Sequence, residues 1–128
     1  MRHKRQRQRQ RQRKRASLLQ TLSLPELHRR RRRAALLLTD PEAALHGTLV
    51  TQDRRCGKAQ CRCMRGELHG PYVYVALARA RGGSRLLYVP EELRELVQQK
   101  IAITERLVAA LETISEINLE LLARRALK

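Results

Sequence analysis

The sequence predicts an α+β protein, with N-terminal helices, a small three-stranded antiparallel sheet carrying a metal-knuckle loop, and a long C-terminal helix. Three observations predict this order. Helix-capping patterns follow a basic tract, period-two runs rich in Tyr and Val occupy the middle, and helical apolar spacing runs through residues 91–128. A chain of 128 residues is one small domain plus tails. Its core is therefore modest, and a metal would help to hold it.

The chain begins with a low-complexity basic tract, residues 1–15, which has no apolar residue to bury after Met1. Such a segment is predicted to be a disordered arm in isolation. Residues 1–33 carry 14 of the 28 Lys and Arg against Glu26 alone, whereas residues 34–128 are nearly neutral. This asymmetry predicts a polyanion binder, with nucleic acid as the expected partner. The open alternative is that the tract is repetitive sequence translated from a start codon set too early.

A helical segment is predicted over residues 16–47. Ser23-Leu-Pro-Glu26 is a capping box, in which a hydroxyl caps the helix and a glutamate follows three residues later. The helix that it opens is expected to run to about Leu38. Thr39-Asp-Pro-Glu42 is a second capping box, which predicts a short helix that Gly47 ends.

Five consecutive arginines, Arg29–Arg33, lie in the middle of this predicted helix. Five residues at about 100° each go around the whole helix, so they form a basic collar and Arg31 must share the apolar face. A second basic group surrounds the cysteines, and its alternative role is a solvated rim. The residues expected to contact nucleic acid are Arg29, Arg30, Arg31, Arg32, Arg33, Arg54, Arg55, Lys58, Arg62 and Arg65.

A Cys-rich β module is predicted over residues 48–90. Its strands are expected at Thr48–Arg55, Pro71–Arg79 and Ser84–Val89, because each is bounded by turn residues and rich in β-forming side chains. Gly82-Gly83 predicts a tight hairpin turn between the last two strands, since such turns need positive φ. Tyr72 and Tyr74 are two residues apart and share one strand face, where they either stack on bases or pack against the sheet.

The loop between the first two strands carries a predicted zinc site formed by Cys56, Cys61, Cys63 and His69. Thiolate and imidazole are the ligands that zinc prefers, and four of them close a tetrahedral structural site. The odd number of cysteines argues against a disulfide framework. The spacing C-x4-C-x-C-x5-H is less specific than paired C-x2-C, so reduced thiols, an iron–sulfur cluster, and His46 or an external group as fourth ligand remain alternatives.

An enzymatic role is not expected. Cys63 and His69 would supply a nucleophile and a base, but the sequence offers no third residue to orient the histidine. A chain of this size also builds an enclosing pocket with difficulty. The sequence therefore predicts a non-catalytic protein.

A long C-terminal helix is predicted from Pro90 onward, with glutamates in its first turn. Its apolar residues recur in alternating steps of three and four, a spacing typical of a coiled coil. Homodimerisation through residues 91–122 is one interpretation, and packing on the chain's own N-terminal helix is the other. The seam consists of Leu93, Val97, Leu107, Leu111, Ile114 and Leu121, interrupted by Lys100, Thr104 and Asn118.

The cysteine motif resembles a family of short prokaryotic proteins of uncharacterised function. The matching residues are Gly47-Thr-Leu-Val50, Arg55-Cys-Gly-Lys-x-x-Cys-x-Cys63 and Gly66-Glu-x-His-Gly-Pro-Tyr72, and the resemblance covers roughly residues 45–122. Within it lie Gly82-Gly83, Tyr88-Val89-Pro90 and Ile117-Asn118; Ala59 departs from the proline of many relatives. The resemblance implies association with mobile elements or DNA. The Arg-Gln tract lies outside it.

Two functions follow from the sequence. The first is a zinc-stabilised nucleic-acid-binding protein, and the second is an assembly module that works through its C-terminal helix with the metal as a staple. No membrane role is expected, because the longest apolar runs are far shorter than the roughly 20 residues that a span requires. Reduced cysteines without a secretory segment predict a cytoplasmic protein.

Overall fold

The computed structural model describes residues 2–77 and 85–128 and has the predicted α+β architecture. Short 3₁₀ turns occupy Pro41–Ala43, Arg62–Arg65 and Glu91–Leu93. The regular elements are α1 (Arg2–Gln20), α2 (Leu24–Ala35), β1 (Gly47–Arg54), β2 (His69–Leu77), β3 (Arg85–Tyr88) and α3 (Arg94–Ala123). The chain divides into two compact units, of which the first joins the residues up to Thr39 with Arg106–Lys128 and the second is Asp40–Glu105.

The sheet lies in the second unit and has the strand order β1-β2-β3, with both pairs antiparallel. Val75 of β2 is buried and is paired with Leu49 on one side and Leu87 on the other. The three predicted strands are present, each within a few residues of its predicted bounds. The predicted Gly82-Gly83 turn lies outside the described residues.

The core of the first unit is a small aliphatic cluster. Leu19, Leu27, Ile117 and Leu121 are buried together. Leu19 comes from the last turn of α1, Leu27 from α2, and the other two from α3, so the cluster joins all three helices. Apolar burial of this kind is the main favourable contribution to the stability of the unit.

An arginine completes the junction between α1 and α3. Arg124 donates from its guanidinium to the backbone carbonyls of Leu19, Gln20 and Leu22, at 2.9, 3.0 and 2.6 Å. Its Nε donates to Glu120 at 2.7 Å, so the charge is also paired. Carbonyls at the end of a helix have no partner within the helix, and a cation there also suits the helix dipole. Arg124, which directly follows α3, therefore caps the C-terminal end of α1.

Helix α1 differs from the predicted disorder of residues 1–15. Arg, Gln and Lys all have high helix propensity, and the segment contains neither Gly nor Pro. Side chains from residue 5 to residue 18 are exposed, so propensity rather than packing favours helix there. The buried Leu19 attaches the C-terminal end of α1 to the core.

The serine half of the first capping box is present, whereas the carboxylate of Glu26 accepts from Arg29 and Arg30, and the second capping box is absent. Ser23 caps α2, and its hydroxyl accepts a hydrogen bond from the amide of Glu26 at 3.3 Å. Helix α2 ends at Ala35, three residues before the predicted end. Thr39 caps no helix, because Asp40 takes a left-handed conformation with φ of 55° and precedes only the 3₁₀ turn Pro41–Ala43.

The structure does not support a coiled-coil seam along α3. Leu111 is 52% exposed, whereas Ile117 and Leu121 are fully buried. Two predicted polar interruptions have partners within the chain: Thr104 accepts the amide of Leu45 at 2.6 Å, and Asn118 accepts from Arg31 at 2.8 Å. A straight helix repeats every 3.6 residues, so its buried stripe drifts away from a strict heptad. Within residues 2–77 and 85–128, no helix combines the length and apolar character that crossing a membrane requires.

Candidate metal centre

The loop from β1 to β2 gathers the four predicted ligands in one place. One ligand atom from each of Cys56, Cys61, Cys63 and His69 lies within 4.8 Å of all the others. Cys63 is fully buried, Cys61 and His69 are half-buried, and Cys56 is exposed. The cluster can therefore hold a metal ion near the surface, with one ligand anchored in the interior.

The spacing of the ligand atoms suits a tetrahedral site. A zinc–sulfur bond of about 2.3 Å places two thiolates about 3.8 Å apart, and a zinc-bound sulfur and nitrogen about 3.6 Å apart. The sulfurs of Cys56 and Cys63 are 3.6 Å apart, and Cys61 Sγ lies 3.1 Å from Nε2 of His69. Of these two pairs the first already has the spacing of a zinc site, and the second would open by about half an ångström to accept a zinc ion.

The backbone of the loop is folded tightly around the buried thiol. Cys63 lies in the 3₁₀ turn Arg62–Arg65, in which the amide of Met64 donates to the carbonyl of Cys61 at 3.0 Å. The turn ends at Gly66, whose φ of 104° few other residues adopt. Local hydrogen bonds thus position Cys61 and Cys63 before any metal binds.

The fourth candidate ligand, His69, comes from the sheet. His69 is the first residue of β2 and pairs with Arg54, the last residue of β1. Between this pair and Gln52–Tyr72 the register shifts, since β2 carries one residue more than β1. Such a bulge redirects a side chain next to it. Here it adjoins the histidine that faces Cys61.

Gly70 makes the bulge possible. Its φ is 129°, and a Cβ at this position would lie 2.8 Å from Oδ1 of Asp53 and 3.1 Å from the carbonyl oxygen of Gln52. We expect Gly70→Ala to destabilise the unit by about 1–3 kcal/mol and to weaken metal binding, because strain at this φ displaces His69. Chemical denaturation and metal titration with a competing chelator measure the two effects.

Gly57 provides the matched comparison for Gly70. It also has positive φ, at 79°, but no atom lies within 4 Å of a Cβ built there. Gly57→Ala should therefore carry only the conformational cost and leave a smaller defect. Equal defects in the two variants would contradict the role of the contact with Asp53.

The thiols differ in their acidity. Hydrogen bonding from the Cys63 backbone, followed by the side chains of Cys56, Cys63 and His69, lowers the pKa of Cys61 to about 6. A backbone hydrogen bond from Cys56 lowers the pKa of Cys63, but burial and the neighbouring thiols raise it above its ordinary value. Cys61 is thus mostly thiolate at neutral pH, which is the form that binds a metal.

The basic residues near the cysteines are exposed and surround the loop. Arg62 lies 3.8 Å from Glu67 in a solvated ion pair, which contributes little stability. Arg54 lies over the ring of Tyr74, with its guanidinium carbon 4.4 Å from the ring centroid. The other predicted contacts, Arg55, Lys58 and Arg65, are exposed. Positive charge near a thiol favours its thiolate form.

The arginine collar of α2 is not uniform. Arg29 and Arg30 both donate to Glu26, and hydrogen bonding from Arg29 and then Arg30 lowers the pKa of that carboxyl. Arg31 is half-buried, as predicted, and donates to Asn118. Arg32 and Arg33 are exposed. The five consecutive arginines that were predicted to contact nucleic acid therefore differ in their hydrogen-bond partners and in their exposure.

Tyr88 joins the two tyrosines of β2, a neighbour that the sequence did not indicate. Tyr88 of β3 pairs with Tyr74, and its ring centroid lies 5.8 Å from that of Tyr74 and 6.3 Å from that of Tyr72. Both ring pairs are edge-to-face, an arrangement that aromatic side chains favour. The predicted Gly82-Gly83 turn would instead pair Tyr88 with Leu77 and place it on the opposite face, so the sequence did not indicate the observed pairing of Tyr74 with Tyr88.

One family model matches a part of the chain. A family model described as "Domain of unknown function (DUF6788)" covers residues 24–99, which include α2, the whole sheet and the cysteine cluster but not the basic tract. No curated protein and no solved structure matches. The prediction of an uncharacterised family is therefore confirmed.

Proposed function

The chain belongs to the family of the domain of unknown function DUF6788, and we propose that it is a metal-stabilised, non-catalytic protein that binds nucleic acid. The observation that carries the proposal is helix α1, whose exposed side chains from residue 5 to residue 15 alternate mainly between Arg and Gln. A solvated helix with cations on every side cannot bury itself against an apolar surface. It suits a polyanion, and the major groove of a duplex admits an α-helix.

The arginines of α2 add to this charge unequally. Arg32 and Arg33 are exposed and are the members of the collar most available to phosphates. Arg29 and Arg30 would have to leave Glu26, and Arg31 would have to leave Asn118, before they could bind. The proposed contacts are therefore dominated by α1 and by these two arginines.

Zinc is the proposed metal. Three thiolates and one imidazole match the ligands that zinc prefers, and four protein ligands leave no open position for a substrate. Bound zinc would join the loop to β2 through His69 and hold the small sheet, which is why a non-catalytic role is proposed. Reduced thiols of this kind persist in the cytoplasm, the proposed location.

The salt dependence of binding tests the role of α1. We expect affinity for a short duplex to fall steeply with salt, because each neutralised phosphate releases counterions. Replacing Arg7, Arg9, Arg11 and Arg13 with Ala should flatten the log–log slope by about 3, at roughly 0.7–0.9 per contact. Ala preserves the helix, so the change reports charge. Fluorescence anisotropy of a labelled duplex over a series of KCl concentrations measures the slope.

The interleaved glutamines supply the matched control. Replacing Gln6, Gln8, Gln10 and Gln12 with Ala alters the same helix without changing its charge, so the slope should stay as in the parent chain. A slope near zero for the intact protein would remove the nucleic-acid proposal.

We also propose a second function, because several apolar side chains of α3 are exposed. Leu96, Leu111, Leu119 and Leu122 are 48–66% exposed. Exposed apolar groups on a helix are candidates for contact with a second copy. In this alternative the chain is a metal-stapled assembly module, and homodimerisation uses residues 91–122.

A further inference from the structure

All aromatic residues of the described sheet lie on one face. The chain has three tyrosines and neither Phe nor Trp, and the register places Tyr72, Tyr74 and Tyr88 on the same side. Val75 and Leu87, one position along each strand, point to the opposite side. We infer that this tyrosine face, completed by Arg54, binds the unpaired bases of a single-stranded nucleic acid; the inference rests on the proposed function.

The exposure of these rings is the first argument. Aromatic side chains bury more area than any aliphatic one and normally dominate a small core. Here the fully buried large side chains are Leu, Ile and Cys instead. Tyr88 is 48% exposed, and Tyr72 and Tyr74 are half-buried. The ring of Tyr88 is thus largely accessible to solvent, and those of Tyr72 and Tyr74 are partly accessible.

The geometry of Arg54 is the second argument. Its guanidinium covers the ring of Tyr74, while the side chain as a whole remains exposed. A guanidinium is itself planar and cationic, so the side of it that faces away from the ring can receive a base. Bases stack on aromatic rings and on guanidinium planes alike. Arg54 and Tyr88 therefore offer adjoining stacking surfaces around Tyr74.

The positive charge next to the tyrosine face favours a nucleic acid as the partner. The loop that follows Arg54 carries exposed Arg55, Lys58 and Arg65, which can follow a phosphate backbone away from the rings. In a duplex the faces of the bases are stacked on one another, so a duplex can contact the basic side chains but cannot stack on the tyrosine rings. A single strand uses both. Stacking is tolerant of sequence, which agrees with a binder that has little sequence preference.

The test compares oligothymidylate with an abasic oligonucleotide of equal length, using the full chain at moderate salt and anisotropy as the readout. Oligothymidylate should bind more tightly, and Tyr88→Leu should lower its affinity about 5- to 50-fold. Arg54→Lys keeps the charge but loses the planar group, so it should also weaken binding about five-fold or more. Arg85→Lys, on the Val75 side of the sheet, is the matched control and should change little.

Nuclear magnetic resonance of the tyrosine rings gives a second readout. Because the chain lacks Phe and Trp, tyrosine-ring signals report on this face alone, and a stacked base should shift them. Equal affinity for the two oligonucleotides with unmoved ring signals would overturn the inference while leaving binding through α1 intact. Binding of neither oligonucleotide and of no duplex would overturn the proposed function as well. Both variants lie at exposed positions, so unchanged affinity in both also counts against the inference.

Discussion

Cys63→Ser should abolish stoichiometric metal binding and remove the cooperative unfolding transition of the unit formed by Asp40–Glu105. Cys63 is the fully buried member of the candidate metal cluster, so serine there removes a thiol and leaves a buried hydroxyl in its place. Structural zinc binding contributes about 10–16 kcal/mol in small sites, as much as the whole stability of a typical domain. Elemental analysis of purified protein and thermal melting measure metal content and stability.

The histidines provide the control for this experiment. His69→Ala should lose most of the metal, whereas His46→Ala should keep it, because His46 lies outside the cluster of four ligand atoms. Zinc at close to one equivalent per chain is the expected content, and iron with acid-labile sulfide would assign a cluster instead. Metal-free Cys63→Ser protein that melts as the parent does would show that no metal supports the fold.

Leu121→Asp is expected to be the most damaging single change in the helical unit. Leu121 is fully buried with Leu19, Leu27 and Ile117. Aspartate would lose the apolar contacts and bury a charge for which these neighbours offer no partner. We expect a loss of about 4 kcal/mol or more, measured by urea denaturation followed by circular dichroism.

Leu111→Asp is the matched comparison on the same helix. Because Leu111 is 52% exposed, the change should cost no more than about 0.5 kcal/mol in a monomer. Equal destabilisation by the two substitutions would contradict the burial pattern of α3. Sedimentation analysis adds a further result: a dimer in the parent chain that Leu111→Asp dissociates would favour the assembly function.

Local features of this fold were predictable because short sequence patterns determine them. The four candidate ligands are close along the chain, so their clustering could be predicted without knowledge of the tertiary structure. Ser23 and Glu26 likewise form a cap within one helical turn. The three strands followed from period-two patterning and β-forming residues. Each of these inferences used contacts between residues near one another in sequence.

The remaining features depend on contacts between distant residues or on a balance of opposing effects. Leu111 and Leu121 are the same residue type and both fit the predicted apolar spacing. Only packing against α1 and α2 shows that Leu121 is buried and Leu111 is not. Arg31 and Asn118 are 87 positions apart, so their hydrogen bond could not be read from either neighbourhood. The tract before Ala16 has both high helix propensity and high charge, and composition does not decide between them.

The Arg-Gln alternation of α1 also makes its helix–coil equilibrium dependent on counter-charge. Arginines at every second position place like charges four residues apart, as in Arg5–Arg9, Arg7–Arg11 and Arg9–Arg13. Each such pair opposes the helix by about 0.2–0.5 kcal/mol. A bound polyanion relieves this repulsion and so stabilises the helical state of α1. Added salt then has two opposed effects, since it favours the free helix while it weakens phosphate contacts, and a plot of log affinity against log salt should curve at low ionic strength.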